Sequence, residues 1–205
     1  MQGYIININK VRDEDLIVSI ITEENFYTAY RFYGARHSNI NIGYKIDFEL
    51  ETNMKSDIPR LKGVLQIGFP WILHRDKMYH WQRFIKLFYP HLKDVDDIDD
   101  FYYNLLQNLV TRIEKQDVKR AIIESYVILC DYEGRLHTNF ECLLCDSKID
   151  DKISLVRGFA PTHSTCSYSK NFKIDKIKNL FFNRSSISLD DSECDYLYNI
   201  IMQGL

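Results

Sequence analysis

Residues 15–38 read DLIVSIITEENFYTAYRFYGARHS, two runs rich in Ile, Val, Tyr and Phe separated by the polar turn TEEN. β-Branched and aromatic side chains suit a pleated, half-buried strand, and polar or Gly-containing clusters mark where the chain turns. Working outward, GYIININ precedes this stretch and YKIDFELE and LKGVLQIG follow it, with KVRDED and SNINIG as the breaks between them. Five short strands in the first 68 residues suit a small closed barrel. The OB-fold is the commonest five-stranded barrel that binds oligonucleotides, and an SH3-like barrel is the alternative.

Beyond Pro70 the period becomes helical. Trp81, Phe84, Ile85 and Phe88 recur on one face, and Pro90 is expected to close that segment. The acidic run DVDDIDD at 94–100 precedes Phe101, Leu105, Leu106, Leu109 and Ile113. This places carboxylates at a helix N-terminus, with Asp99 or Asp100 as the cap. A third helix starts at Asp117 and stops at Gly134, a residue suited to a left-handed cap. The tail offers IDKIKNLFFN and CDYLYNIIMQ, the second behind SLDDSE, which resembles a capping box. The expected fold is α+β: an OB-fold barrel over 1–68 and an α-helical domain over 71–205, with a zinc-binding module at 140–170.

The 205 residues are 45% hydrophobic and 27% charged, enough to bury a core and too apolar for disorder. The N-terminus has no leader pattern and no 18 uncharged apolar residues run together, so a cytosolic protein without a membrane span is expected. A net charge of −3 does not announce a polyanion partner, but the charges are segregated. Between Asn25 and Ile46 there is no acid, while Arg31, Arg36, His37 and Lys45 stand there. Further basic runs lie at 74–93 and 152–184; a solvated face is the bland alternative for each. No phosphate-binding loop of the form GxxxxGK[ST] occurs, so nucleotide hydrolysis is not expected.

Five cysteines, an odd count, argue against a complete disulfide framework. Cys142-x-x-Cys145 is followed, after seventeen residues, by His163-x-x-Cys166. Two close pairs of this kind complete a tetrahedron of three thiolates and one imidazole around one structural Zn²⁺, leaving no open position for a catalytic water. A zinc deaminase would need a His-x-Glu ligand motif, which is missing, and a thioredoxin-like CxxC would leave the second pair unexplained. Cys130 and Cys194 have no such neighbours and read as core or surface thiols.

The order barrel, helices, embedded zinc knuckle resembles the RecO family of bacterial recombination mediators. The resemblance rests on DLIVSIITEENFYTAYRFYGARHS at 15–38, on VILCDYEGRLHTNFECLLC at the helix–knuckle junction, and on Phe159-Ala-Pro161 with His163 and Cys166 at its close. Tyr33 departs from the family's RGAR element, His163 stands where many members have Cys, and the chain is short for the family. The resemblance implies a non-enzymatic DNA repair and recombination accessory protein of the bacterial cytoplasm and nucleoid. Such a protein binds single-stranded DNA, works with RecR, helps load RecA on strands coated by single-strand-binding protein (SSB), and anneals complementary strands. A zinc-containing OB-fold adaptor that contacts only proteins is the alternative.

A compatible DNA site would use Arg31, Arg36, His37 and Lys45 for phosphates, with Tyr30, Phe32 and Tyr33 available for stacking; alternate aromatics must instead fill the barrel. The family's grip on the SSB C-terminal tail would need cations beside an apolar pocket. Arg83 and Lys86 with Trp81, Phe84 and Phe88 offer that chemistry, although core packing is the commoner role for rings at this spacing.

Overall fold

A strand buries one face only if it finds partners, and in the first 67 residues each strand finds two. The computed structural model describes residues 1–36, 38–53, 56–95 and 97–205. Strands β1 (Gln2–Lys10), β2 (Leu16–Thr22), β3 (Phe26–Arg31), β4 (Lys45–Asn53) and β5 (Ser56–Ile67) close into a barrel in the order β1-β2-β3-β5-β4. All neighbours are antiparallel except β3 and β5, which pair in parallel with Tyr30 opposite Arg60. This is the OB-fold, with a short 3-10 turn at Gly34–Arg36 between β3 and β4. Ile5, Val18, Ile20, Ile46, Phe48 and Leu61 fill the interior. Gly3 has no alternative, since a Cβ there would lie 2.5 Å from Ile20 and 2.7 Å from the Ile21 carbonyl.

The chain forms two compact units, Met1–Glu114 and Lys115–Leu205. In the first, helices α1 (Arg75–Ile85), α2 (Phe88–Leu92) and α3 (Phe101–Lys115) join the barrel. Trp81 is fully buried, and its indole N–H donates to the Gly43 carbonyl at 2.8 Å. Gly43 has φ +84° and no room for a Cβ beside that indole, so only glycine fits this turn. α1 ends at Ile85; Pro90 does not close it but sits in the first turns of α2, where its missing N–H costs little. The Asp99 carboxylate accepts from the Phe101 N–H and caps α3. Asp96 of the same acidic run lies outside the described residues.

The second unit holds α4 (Val118–Tyr132), a sheet of β6 (Lys152–Val156), β7 (Ala160–Thr162) and β8 (Asn171–Lys173) in the order β7-β6-β8, the short α5 (Ser164–Ser167), α6 (Ile174–Asn183) and α7 (Asp191–Ile201). Gly134 closes α4 with φ +67°, and Arg135 N–H reaches back to the Cys130 carbonyl at 2.8 Å. Asp190 and Glu193 form the capping box of α7. The three-stranded sheet was not anticipated from sequence. Strands of three to five residues broken by Gly158 and Pro161 leave too short a pattern to read.

Candidate functional site

The first candidate lies in the second unit. Cys142 opens a turn closed by the Asp146 N–H on the Cys142 carbonyl at 2.8 Å, with Asp146 at φ +56°, and this turn swings Cys145 back beside Cys142. The Leu143 N–H donates to the Pro161 carbonyl at 3.0 Å, tying the turn to β7, at whose end His163 stands. One turn of α5 then brings Cys166 round, its N–H on the His163 carbonyl at 3.0 Å. The four ligand atoms all lie within 4.8 Å of one another. His163 Nδ1 is 3.4 Å from Cys145 Sγ and 4.0 Å from Cys166 Sγ.

A tetrahedral ion with bonds of about 2.3 Å to sulfur and about 2.0 Å to nitrogen needs sulfur–nitrogen separations of roughly 3.6 Å, so the donor set fits one such ion. His163 Nε2 is 3.3 Å from the Lys148 carbonyl, which as its hydrogen-bond acceptor fixes the proton there and leaves the Nδ1 lone pair for the metal. Burial pushes the Cys142 thiol up, but backbone N–H groups of His163, Leu144 and Cys145 outweigh it and bring it down to about 6. The Ser147 N–H lowers Cys145 in the same way. The cluster can therefore hold one metal ion through four protein ligands. Cys130 and Cys194 take no part; both are buried, and burial lifts each thiol to about 11.

The second candidate lies on the barrel. A cleft of about 290 Å³ is lined by Arg12, Tyr30, Phe32, Ser56, Ile58 and Arg60. These come from the β1–β2 loop, the end of β3 and the start of β5, the region through which OB-folds bind oligonucleotides. Phe32 is 46% exposed, with the Arg60 guanidinium 5.1 Å from its ring centre and Tyr30 edge-on at 4.8 Å. The cleft wall is fixed by Asp15, which accepts from the Tyr30 hydroxyl at 2.5 Å and the Tyr33 N–H at 2.8 Å, bonds that hold its carboxyl below the usual range. Among the described residues, the ionisable side chains other than Tyr30 lining the cleft are guanidiniums. Arg60 also lies 3.8 Å from a Glu51 carboxylate oxygen on β4, while a similar hollow beside Met1 carries Glu23 and Glu24, and one beside Asp117 has its cations in ion pairs with Asp191 and Asp195.

The cations singled out from sequence do not line this cleft. Arg31 acts as a strut, donating to the Leu61 carbonyl at 2.9 Å. Arg36 pairs with Glu14 at 2.5 Å and lies over Tyr33 while staying 64% exposed. Lys45 donates to Gln107 of α3 at 2.8 Å and sits near the rings of Tyr4 and Tyr103. His37 lies outside the described residues. Trp81 and Phe84 on α1 and Phe88 on α2 are fully buried, so they form core and not a pocket wall; Lys86 is exposed and Arg83 half-buried against Tyr79. The aromatics Tyr30 and Phe32 were the legible part of the cleft; Arg12 and Arg60 were missed.

Residues 1–72, the barrel and the turn that follows it, match the family described as RecO N terminal. Over the barrel the chain is therefore similar to the N-terminal domain of RecO proteins. The match ends before α1, and no curated protein matches the chain. A match to this domain points to DNA repair and recombination as the general setting. No helix among the described residues is long and apolar enough to cross a membrane.

Proposed function

We propose that the chain is a non-enzymatic recombination accessory protein that binds single-stranded DNA in the barrel cleft. The observation that carries this reading is the exposed Phe32 ring beneath the Arg60 guanidinium, in a cleft whose other cation among the described residues is Arg12. Successive bases stack on such rings while guanidiniums meet phosphates, which gives affinity without sequence readout. The RecO N-terminal domain supports the wider setting: a bacterial cytoplasmic, nucleoid-associated protein acting with RecR to load RecA on SSB-coated strands and to anneal complementary ones.

In the second unit, Cys142, Cys145, His163 and Cys166 would hold one structural Zn²⁺. The ion would cross-link the turn at 142–146 to β7 and α5, segments that carry little apolar core of their own. Four protein ligands assign it a structural role.

Titration of a labelled oligothymidylate at two salt concentrations tests the DNA reading. Wild type binds, and Phe32→Ala plus Arg60→Ala binds weakly. A folded double variant with wild-type affinity and salt slope would remove the cleft. A protein-only adaptor is the second reading, favoured by the exposed Leu143 and Leu144 between the zinc ligands and by Tyr168 at 94% exposure. Absence of DNA binding at low salt would select it.

A further inference from the structure

Helix α1 buries Met78, His80, Trp81, Phe84 and Ile85, which leaves its opposite side to solvent. At 3.6 residues per turn, positions 75, 79, 83 and 86 fall within about 80° of one another. That stripe is Arg75, Tyr79, Arg83 and Lys86, three cations around one ring, spanning roughly 16 Å at about 1.5 Å per residue. Tyr79 is 56% exposed, and the Arg83 guanidinium lies 5.6 Å from its ring centre. This repeats the arrangement of Phe32 and Arg60 in the cleft, where the separation is 5.1 Å. Within α1 itself the acid at the margin of the stripe, Asp76, lies 3.6 Å from His80 on the neighbouring side.

The two cation–aromatic pairs are carried by different elements of the unit, the cleft by the β1–β2 loop, β3 and β5 and the stripe by α1. The cleft forms where β1 and β4 finish, beside Arg12 and Ser56. α1 packs where those strands begin: Gln82 and Trp81 donate to the carbonyls of Ile42 and Gly43, and Trp81 meets Tyr4 edge-on at 5.7 Å.

We infer that the exposed face of α1 is a second nucleic-acid contact, which takes the phosphate backbone of a strand distinct from the one in the cleft, with Tyr79 as the stacking ring. The class of ligand rests on the single-stranded DNA reading above; the place does not. An acidic peptide with an apolar end fits less well. Its anchor needs an apolar hollow beside the cations, and Trp81, Phe84 and Phe88, the rings that would line one, are fully buried. A polyanion with stackable bases uses both features that are exposed, charge along the helix and one accessible ring. Two sites of this kind on one unit let a single chain hold two strands at once, the geometry required to bring complementary strands together.

The test uses the full chain and two short, non-complementary oligonucleotides, one carrying a donor and the other an acceptor fluorophore. Wild type should saturate at two oligonucleotides per chain and give energy transfer. Arg75→Ala plus Tyr79→Ala plus Lys86→Ala should saturate at one, lose energy transfer, and keep the wild-type melting temperature. Its overall salt slope should fall by about 0.7 for each phosphate contact removed. Arg75→Lys plus Lys86→Arg, which preserves charge, should keep two. The cleft variant Phe32→Ala plus Arg60→Ala should also retain one, held on α1, so that failure of the cleft reading registers separately. Saturation of wild type at one, or at two in the α1 triple variant, overturns the inference. So does an acidic peptide ending in Phe that binds wild type and not the triple variant while DNA stoichiometry is the same in both.

Discussion

The Cys and His knuckle and the barrel cleft are each assembled from short, separated segments, yet they differ in how they are specified. Coordination chemistry accepts few residue types, and a two-residue gap is what a tight turn around one ion requires, so Cys142, Cys145, His163 and Cys166 announce themselves by identity and spacing. The cleft is made by barrel closure. Tyr30 and Arg60 are thirty positions apart and become neighbours because β3 and β5 pair in parallel. Stacking and phosphate contact accept any ring and any cation, so nothing in the local sequence marks Arg60 above Arg31. A site defined by bond geometry can be read from sequence, whereas one defined by topology needs the fold.

That difference predicts how each site fails. The largest effect belongs to the knuckle. Cys142→Ser or Cys166→Ser should abolish tight zinc binding, because the metal supplies on the order of 10 kcal/mol of folding free energy to such sites. Hydrogen exchange should then show loss of protection across 140–170, while the barrel strands keep theirs. Full zinc content in either variant would break the assignment, as would a wild-type protein that folds and contains none. Chelation of wild type should reproduce the same local loss.

The cleft should fail more gradually. Stacking contributes about 1–3 kcal/mol per base, so Phe32→Ala should weaken binding of an oligothymidylate by roughly five- to a hundredfold. Arg60→Ala should lower the salt slope by about 0.7, the mark of one lost phosphate contact. Neither change should alter zinc content. If both variants bind as wild type does, the comparison fails on the cleft side and the DNA surface must be sought elsewhere.

Lys45 separates the two kinds of cation in the same unit. It lies in the acid-free stretch that draws attention in the sequence, but its ammonium donates to Gln107 and faces the rings of Tyr4 and Tyr103. Lys45→Met should therefore reduce the stability of the first unit by about 1 kcal/mol through the lost hydrogen bond and leave DNA affinity nearly unchanged. An affinity loss equal to that of Arg60→Ala would return Lys45 to the binding face.

The strands and long helices were legible because their periodicity runs for six or more residues: the five barrel strands, α3 with its Asp99 cap, α4 with its Gly134 stop, and the Asp190–Glu193 box of α7. Two features were hidden. Pro90 reads as a helix stop, yet a proline in the first turns of a helix removes an N–H that has no partner there, so α2 accommodates it. The strands β6, β7 and β8 are too short for alternation to register, although β7 ends beside His163, one of the four clustered Cys and His residues. Among the cations, sequence alone could not separate struts from ligands, since Arg31, Arg36 and Lys45 share composition and differ only in what the fold places opposite them.

The smallest effect is expected at Arg36, where the comparison becomes most exact in its demands. Arg36 is the most exposed of the described cations first singled out, at 64%, but its guanidinium already faces the Glu14 carboxylate at 2.5 Å and the Tyr33 ring. A phosphate competing for it must displace an acid that is itself attached to the β1–β2 loop, so little net attraction remains for DNA. Arg36→Ala should weaken binding less than threefold and leave the salt slope within about 0.3 of wild type, well below the shift of about 0.7 that one phosphate contact carries. Glu14→Gln provides the converse. Releasing Arg36 from its acid partner should raise affinity modestly and steepen the slope, because a cation beside the cleft then becomes available to the strand. If Arg36→Ala instead matches Phe32→Ala, the strand runs over the turn at Gly34–Arg36 and not through the cleft, and the binding face must be redrawn around that turn.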